Sequence, residues 1–261
     1  MSERSLGAAF AEARAEGRGA LVIYTTSGHP DPSRGLETLL ALADAGADVI
    51  ELGIPFSDPL ADGPTIQRSS FEVIERGVDL RWSLELLRRF RQERSTPVVV
   101  FSYLNPIMSY GVEAFLSDAV AAGAQGVLVT DLPVGSDPEL EAQFRASDMD
   151  LIRLIAPTTK PERIREIAAD AGGFLYYVSR TGVTGARAEL TASLEAEVKA
   201  GRRATDLPVA VGFGISTPEQ AAAVARLADG VVVGSAVVDR LAREGIEATA
   251  RFVAELRAAM G

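Results

Sequence analysis

The sequence predicts an α/β protein, a (β/α)8 TIM barrel formed by residues 1–261 as a single domain. Short runs of β-branched and apolar residues recur eight times, and turn residues and a helical pattern rich in Ala, Leu, Glu and Arg follow them. The chain has 261 residues, the length expected of eight such units. A doubly wound open sheet with the same alternation is the competing architecture.

The eight runs are nearly continuous in apolar residues rather than alternating, which is typical of parallel strands covered on both faces. Helical segments between them include SRGLETLLALADAG, GVEAFLSDAVAAG and PEQAAAVARLA, and the last two end at Gly or at an Asp-Gly turn, where helices often stop. We predict strands, in chain order, at residues 20–26, 47–53, 97–103, 125–131, 151–156, 173–179, 208–214 and 229–235.

Extra helices are predicted at the N-terminus, after strand 2 and near strand 8. Residues 1–19 mix acids and bases at helical spacing and lack the apolar run of a secretory signal. The longest interval between strands follows strand 2, where a short helix is predicted around FEVIERG and a longer one in DLRWSLELLRRFRQER. Because the loops that follow barrel strands build the active face, we expect this segment to have a function.

Composition argues against several classes of partner and site. The 36 acidic and 26 basic residues give a net charge of −10, which would repel nucleic acid and anionic membrane surfaces. The chain has no cysteine, which removes disulfides and thiolate chemistry and suits a reducing compartment. No stretch reaches the roughly 18 apolar residues of a membrane span. We predict a cytoplasmic protein that binds neither nucleic acid nor membrane.

Three carboxylates lie in the stretch ELGIPFSDPLADGPTIQ, residues 51–67. Glu51 is near the C-terminal end of strand 2, where side chains project into the mouth of a barrel, and its apolar neighbours would prepare it for proton transfer near neutral pH. The alternative is a glutamate that accepts backbone N–H bonds. Asp62 could be a turn former or helix cap instead of a functional group, and Asp58 an exposed turn residue.

Glycine-rich turns follow the last three predicted strands. They are SRTGVTGA at 179–186, GFGIST at 212–217 and GSAV at 234–237. Glycine lets backbone N–H groups approach an anion, and a helix N-terminus adds partial positive charge. Since barrels commonly bind phosphate after strands 7 and 8, we predict a phosphate site here, with ordinary barrel turns as the alternative.

Other catalytic groups are scarce. The only histidine, His29, is expected to be a solvated turn residue, and no spacing typical of metal ligands is present. Neither of the two lysines, Lys160 and Lys199, is on a predicted strand, so a Schiff-base aldolase would lack its amine. Acid–base catalysis by carboxylates on a phosphorylated substrate is the chemistry that remains.

These motifs resemble those of the tryptophan synthase alpha subunit family. The match to ELGIPFSDPLADGPTIQ is nearly complete, and SRTGVTGA, GFGIS with its following Pro-Glu-Gln, and GSAVV occur in the same order. The similarity extends over essentially the whole chain. The resemblance implies a carbon–carbon lyase of tryptophan biosynthesis, which cleaves indole-3-glycerol phosphate to indole and glyceraldehyde 3-phosphate by a retro-aldol reaction, without a metal or organic cofactor in this chain.

The resemblance also implies roles for individual residues. Glu51 would protonate C3 of the indole ring and assist proton removal from the side-chain hydroxyl, and Asp62 would accept the indole N–H. Thr184 would orient Asp62 when the loop after strand 6 closes. Further substrate contacts would come from Tyr24, Phe101, Tyr176 and Phe213, and phosphate contacts from Gly185, Gly214, Gly234 and Ser235.

A partner subunit is also implied. In the family, a β subunit holds pyridoxal phosphate, makes L-tryptophan from L-serine and receives indole through a tunnel in an α-β-β-α tetramer. Asp58, Pro59 and Asn105 lie in loops that would meet this subunit. Three alternatives stay open: a phosphosugar isomerase with Glu51 as base, a non-catalytic interaction subunit, and an indole-forming lyase that acts alone.

Overall fold

Eight parallel strands close into a barrel in chain order, and β8 pairs with β1. The computed structural model describes residues 4–178, 187–212 and 214–261, with side chains throughout except at 187–193. The predicted barrel is therefore confirmed and the open sheet is excluded. The strands are β1 Ala20–Thr26, β2 Val49–Gly53, β3 Val98–Ser102, β4 Gly126–Val129, β5 Asp150–Ile155, β6 Leu175–Val178, β7 Val209–Gly212 and β8 Gly230–Val233.

Helices surround the barrel and connect consecutive strands. A 3-10 turn, Pro32–Arg34, precedes α2. Within the described residues the α-helices are α1 Leu6–Ala15, α2 Gly35–Asp44, α3 Pro64–Ile74, α4 Leu80–Glu93, α5 Leu104–Tyr110, α6 Val112–Ala122, α7 Pro138–Arg145, α8 Pro161–Ala169, α9 Arg187–Ala204, α10 Pro218–Ala225, α11 Ser235–Glu244 and α12 Ile246–Ala259.

The predicted extra helices are present. Helix α1 is the N-terminal one, α3 and α4 follow β2, and α11 and α12 follow β8. Helix α5, directly after β3, was not predicted, because LNPIMSY is short and has a proline in its first turn. The expectation that Asn105 lies in a loop was therefore wrong, since it lies in α5. The Leu104 N–H at the start of this helix donates to Asp131 Oδ1 at 2.7 Å, which ties α5 to the loop after β4.

Apolar side chains fill the barrel interior at the N-terminal ends of the strands, so a site can form only at the C-terminal ends. Val22, Val49 and Val99 belong to an interior cluster that also contains apolar residues of α1. Phe10 of α1 packs on Phe174, just before β6, with ring centroids 5.2 Å apart. A larger cluster of buried residues joins the outer faces of the strands to the surrounding helices. Helix α1 thus covers the end of the barrel opposite the active face.

Within the ranges described above, no helix is long and apolar enough to cross a membrane.

Candidate active site

Glu51 lies inside the barrel on β2. It pairs in register with Tyr24 of β1 and Val99 of β3, and it shares the inward face with Val49, two residues earlier. The side chain is fully buried, at 0% exposure. Burial raises the pKa of Glu51 to about 8, because a charged carboxylate is poorly solvated there. The group is therefore mainly a neutral carboxylic acid at pH 7.

Neither carboxyl oxygen of Glu51 has a hydrogen-bond partner among the described residues. Among the described residues, no backbone N–H donates to Glu51, so the alternative role as a backbone acceptor is not supported there. A buried polar group without partners is costly and calls for an explanation. A carboxylic acid that is kept free for a ligand at the centre of the mouth is such an explanation.

Asp62 approaches the same mouth from the loop between β2 and α3. The preceding amide, Ala61 N–H, donates to the Tyr103 hydroxyl at 2.9 Å. Burial raises the pKa of Asp62 to about 6, and interaction with the Tyr103 hydroxyl partly offsets this rise. Gly63 is the N-cap of α3, and that cap has no side-chain hydrogen bond. The cap role considered for Asp62 is therefore absent.

Two tyrosines show that the two carboxyl groups belong to one site. Burial raises the pKa of Tyr24, and the charges of Asp62 and Glu51 raise it further. Burial likewise raises the pKa of Tyr176 on β6, followed by the charges of Glu51 and Asp62. Tyr24 packs edge-to-face against Phe101 of β3, with ring centroids 5.2 Å apart. Carboxyls from β2 and its loop thus lie close to aromatic rings from β1, β3 and β6.

Glycines on neighbouring strands make room for the two phenols. A Cβ added to Gly53 of β2 would come within 2.1 Å of the Tyr24 hydroxyl oxygen, and one added to Gly212 of β7 within 2.4 Å of the Tyr176 hydroxyl oxygen. Each tyrosine therefore lies across the next strand of the barrel. Sequence analysis did not single out Gly53, because only the register places it against Tyr24.

The candidate phosphate-binding residues lie at the ends of two adjacent strands. Helix α11 begins at Ser235, immediately after β8, and its N-cap Gly234 has no side-chain cap. The first turn of such a helix presents free backbone N–H groups to an anion. Gly214 follows β7 with a positive φ of 75°, which favours glycine. The structure thus brings these three residues to one part of the rim.

Tyr24 spans the distance between the N-terminus of α11 and β2, which carries Glu51. A Cβ on Gly234 would lie 3.3 Å from the Tyr24 Cβ, while the other end of the same side chain lies over Gly53. The start of α11 and the strand that carries Glu51 are therefore separated by about the length of one tyrosine side chain. One small phosphorylated molecule could contact both.

Three of the predicted site residues, Thr184, Gly185 and Phe213, lie outside the described residues. His29 is described, and the expectation of a solvated turn was wrong. It is only 2% exposed, and its Nδ1 lies 3.6 Å from Glu72 Oε2 on α3. Burial lowers the pKa of His29. The extra helix α3 covers the turn after β1, which the sequence of that turn does not indicate.

The residues predicted to meet a partner differ in accessibility. Asp58 and Asn105 are exposed, whereas Pro59 is buried. Beside them are two of the large apolar side chains that the structure leaves in solvent, Leu60 at 91% and Met108 at 61% exposure. The loop after β2 and helix α5 therefore present apolar and polar groups together at the rim.

Amine and metal chemistry have little support in the described part of the chain. Lys160 is exposed before α8, and Lys199 is on α9. No group of three or more His, Asp or Glu side chains that could hold a metal ion occurs among the described residues. The described site offers one mainly protonated carboxyl group, Glu51, and one mainly ionised carboxylate, Asp62, at neutral pH.

Comparisons with known proteins reveal clear relatives. The crystal structure of tryptophan synthase subunit alpha from Legionella pneumophila is 35% identical, with a TM-score of 0.90 over 100% of this chain and 99% of that chain. A structure of Mycobacterium tuberculosis tryptophan synthase is 37% identical, with a TM-score of 0.90 over 99% of both chains. An aminoacrylate-bound form from the same species is 35% identical, with a TM-score of 0.89 over 100% of both. The family model for the tryptophan synthase alpha chain matches residues 10–260, so the resemblance predicted from the motifs is confirmed and the chain belongs to that family.

Proposed function

We propose that this chain cleaves indole-3-glycerol phosphate to indole and glyceraldehyde 3-phosphate in tryptophan biosynthesis, with Glu51 as the acid–base group. One observation carries the assignment of Glu51. Its carboxyl is completely buried and has no partner among the described residues, and its pKa is raised to about 8. It is therefore a proton donor at neutral pH, placed where a substrate would enter.

Glu51 serves both proton transfers of the retro-aldol reaction. As an acid it gives its proton to C3 of the indole ring, which turns the ring into a cationic indolenine. As a carboxylate it then takes the proton from the hydroxyl on the adjacent side-chain carbon. The carbon–carbon bond breaks as that hydroxyl becomes the aldehyde of glyceraldehyde 3-phosphate, and its electrons restore the aromatic indole. Protons balance, and Glu51 returns to its acid form.

Asp62 complements Glu51 because it is ionised in the pH range in which Glu51 is still protonated. Its pKa of about 6 leaves it mainly as a carboxylate at pH 7. A carboxylate accepts the indole N–H, and this hydrogen bond strengthens as positive charge develops on the ring. The different environments of the two carboxyl groups thus separate their pKa values, so that one is protonated while the other is an anion at the same pH.

The phosphate would be held by backbone groups at the opposite side of the mouth. The free N–H groups of the first turn of α11, with Gly234 and Ser235, supply this contact in our proposal, together with Gly214 and with Gly185 outside the described residues. Tyr24, Phe101 and Tyr176 would line the indole between the phosphate and Glu51. In our proposal Phe213 also contacts the substrate, and Thr184 orients Asp62.

We also propose a β subunit as partner, in an α-β-β-α tetramer, with pyridoxal phosphate held by that subunit and no cofactor in this chain. The exposed residues at the rim support such a contact, since Leu60 and Met108 lie beside Asp58 and Asn105. Pro59 would support the loop from within. The chain has no cysteine, which suits the cytoplasmic location that we propose.

An indole-release assay tests the reaction. The purified chain is incubated with indole-3-glycerol phosphate, with and without a cognate β subunit, and indole and glyceraldehyde 3-phosphate are quantified separately. We expect equal amounts of both products, with a faster reaction in the presence of the β subunit. If neither condition yields indole, the lyase assignment fails. A rearranged sugar phosphate as product would instead support the isomerase alternative.

A further inference from the structure

Tyr103 is a buried tyrosine that sequence analysis did not select. It lies between the end of β3 and the start of α5, and it is 5% exposed. Its hydroxyl accepts the Ala61 N–H at 2.9 Å, and its ring lies against Phe56 with centroids 5.3 Å apart. Phe56 and Ala61 are both in the loop after β2. One phenol therefore contacts this loop at two points.

The backbone that carries Tyr103 is itself fixed. The next residue, Leu104, donates its N–H to Asp131 Oδ1 at 2.7 Å, so the start of α5 is tied to the loop after β4. A phenol on such an anchored backbone can set the position of a loop that touches it. The residue after Ala61 in that loop is Asp62.

We infer that Tyr103 is a positioning residue, whose hydroxyl accepts from Ala61 and directs its proton to the Asp62 carboxylate to fix the place of that carboxylate in the mouth. A tyrosine hydroxyl has one proton to donate and lone pairs to accept. The bond from Ala61 uses a lone pair and leaves the proton available. A neighbouring ionised carboxylate is a pure acceptor and is the natural recipient.

The surroundings of Asp62 make this contact important. Burial raises the pKa of the Tyr24, Tyr176 and Tyr103 hydroxyls, and the nearby charge of Asp62 raises each of them further. The charge of Glu51 also acts on Tyr24 and Tyr176. Of the described groups that shift the pKa of Asp62, the Tyr103 hydroxyl is the one that favours the ionised form, while burial opposes it. Loss of this hydroxyl should therefore raise the pKa of Asp62.

The catalytic role of Tyr103 rests on the proposed lyase function. The first test measures the ligand-free protein and does not require enzyme activity. The Asp62 side-chain carboxyl is titrated by ¹³C NMR in the ligand-free protein, in the wild type and in Tyr103→Phe, which keeps the ring against Phe56. Tyr177→Phe is the matched control, because the Tyr177 hydroxyl binds Glu197 of α9, outside the barrel. We expect the Asp62 midpoint to move to higher pH in Tyr103→Phe and to stay in place in Tyr177→Phe.

The second test asks whether Tyr103 acts through Asp62. We expect Tyr103→Phe to lower kcat/KM for indole release by about 10- to 100-fold, as for loss of one hydrogen bond to a charged group, and to move the acid limb of its pH profile upward. In an Asp62→Asn background the same change should have almost no effect. Equal losses in both backgrounds, or an unchanged Asp62 midpoint, would overturn the inference. If the wild type releases no indole, the proposed function fails, while the NMR titration still decides whether Tyr103 holds Asp62.

Discussion

Glu51 and Asp62 share one site but release their protons at different pH. Glu51 is fully buried without a partner among the described residues, and its pKa is about 8. Asp62 is partly exposed, and partial burial raises its pKa to about 6. Between these two values Glu51 is an acid while Asp62 is a carboxylate. The proposed cleavage needs this combination.

The pH dependence of the reaction follows from the two pKa values. We expect kcat/KM for indole release to be highest between about pH 6 and about pH 8. It should fall below this range as Asp62 gains a proton, and above it as Glu51 loses the proton that it must donate. Initial rates from pH 5 to pH 9.5 at low substrate concentration provide the measurement. A rate that keeps rising above pH 9 would be inconsistent with Glu51 as the acid.

The buried Glu51 carboxyl should also make the free energy of unfolding depend on pH. Burial raises the pKa of Glu51 above its ordinary value of 4.5, so between 4.5 and about 8 the folded chain binds more protons than the unfolded chain. The free energy of unfolding therefore falls as pH rises through this window. Glu51→Gln removes that loss. We expect the variant to gain roughly 3 kcal/mol relative to the wild type between pH 5 and pH 8 in urea unfolding. Parallel pH curves for the two proteins would show that Glu51 titrates normally.

The close packing of Tyr24 on Gly53 predicts a sensitive position outside the catalytic pair. A Cβ at Gly53 would come within 2.1 Å of the Tyr24 hydroxyl oxygen, so Gly53→Ala must displace the phenol. We expect a loss of about 1 to 3 kcal/mol in the free energy of unfolding, as for other overpacked sites, together with lower kcat/KM. Gly7→Ala is the control, because a Cβ there meets nothing within 4 Å. Wild-type stability and activity in Gly53→Ala would contradict the described position of Tyr24.

The phosphate site is tested by placing a negative charge at the start of α11. Gly234→Asp would put a carboxylate where the free backbone N–H groups of the helix are proposed to bind phosphate. We expect at least about 10-fold weaker binding of glycerol 3-phosphate, measured by calorimetry, because like charges repel. Gly7→Asp makes the same charge change on α1, at the other end of the barrel. Equal affinities in both variants would place the phosphate elsewhere.

Strand pattern and motif order predicted the barrel because each strand is covered on both faces and reads as an apolar run. Helix α5 escaped prediction because its short sequence contains Pro106 and resembles a turn. His29 is buried among segments distant in sequence, including α3 with Glu72, and a turn sequence contains no information about a helix that begins 35 residues later. Long-range packing therefore accounts for the difference at His29, whereas the difference at α5 has a local cause.

The candidate site also contains residues that the sequence alone could indicate and residues that it could not. Glu51 and Asp62 could be selected because acidic residues near the C-terminal end of a buried strand, or in the loop after it, stand out in the sequence. Tyr103 and Gly53 could not, since their importance lies in contacts with Ala61 and Tyr24 that arise only when neighbouring strands align. The assigned roles of all these residues remain predictions.

Indole release by Glu51→Gln tests the central claim most directly. Glutamine keeps the size of the side chain but cannot donate and recover a proton, so the cleavage of indole-3-glycerol phosphate should fall at least about 100-fold at pH 7. Binding of the β subunit should be retained, which would show that the variant is folded. Cleavage at a rate close to that of the wild type would contradict the assignment of Glu51 as the acid–base group.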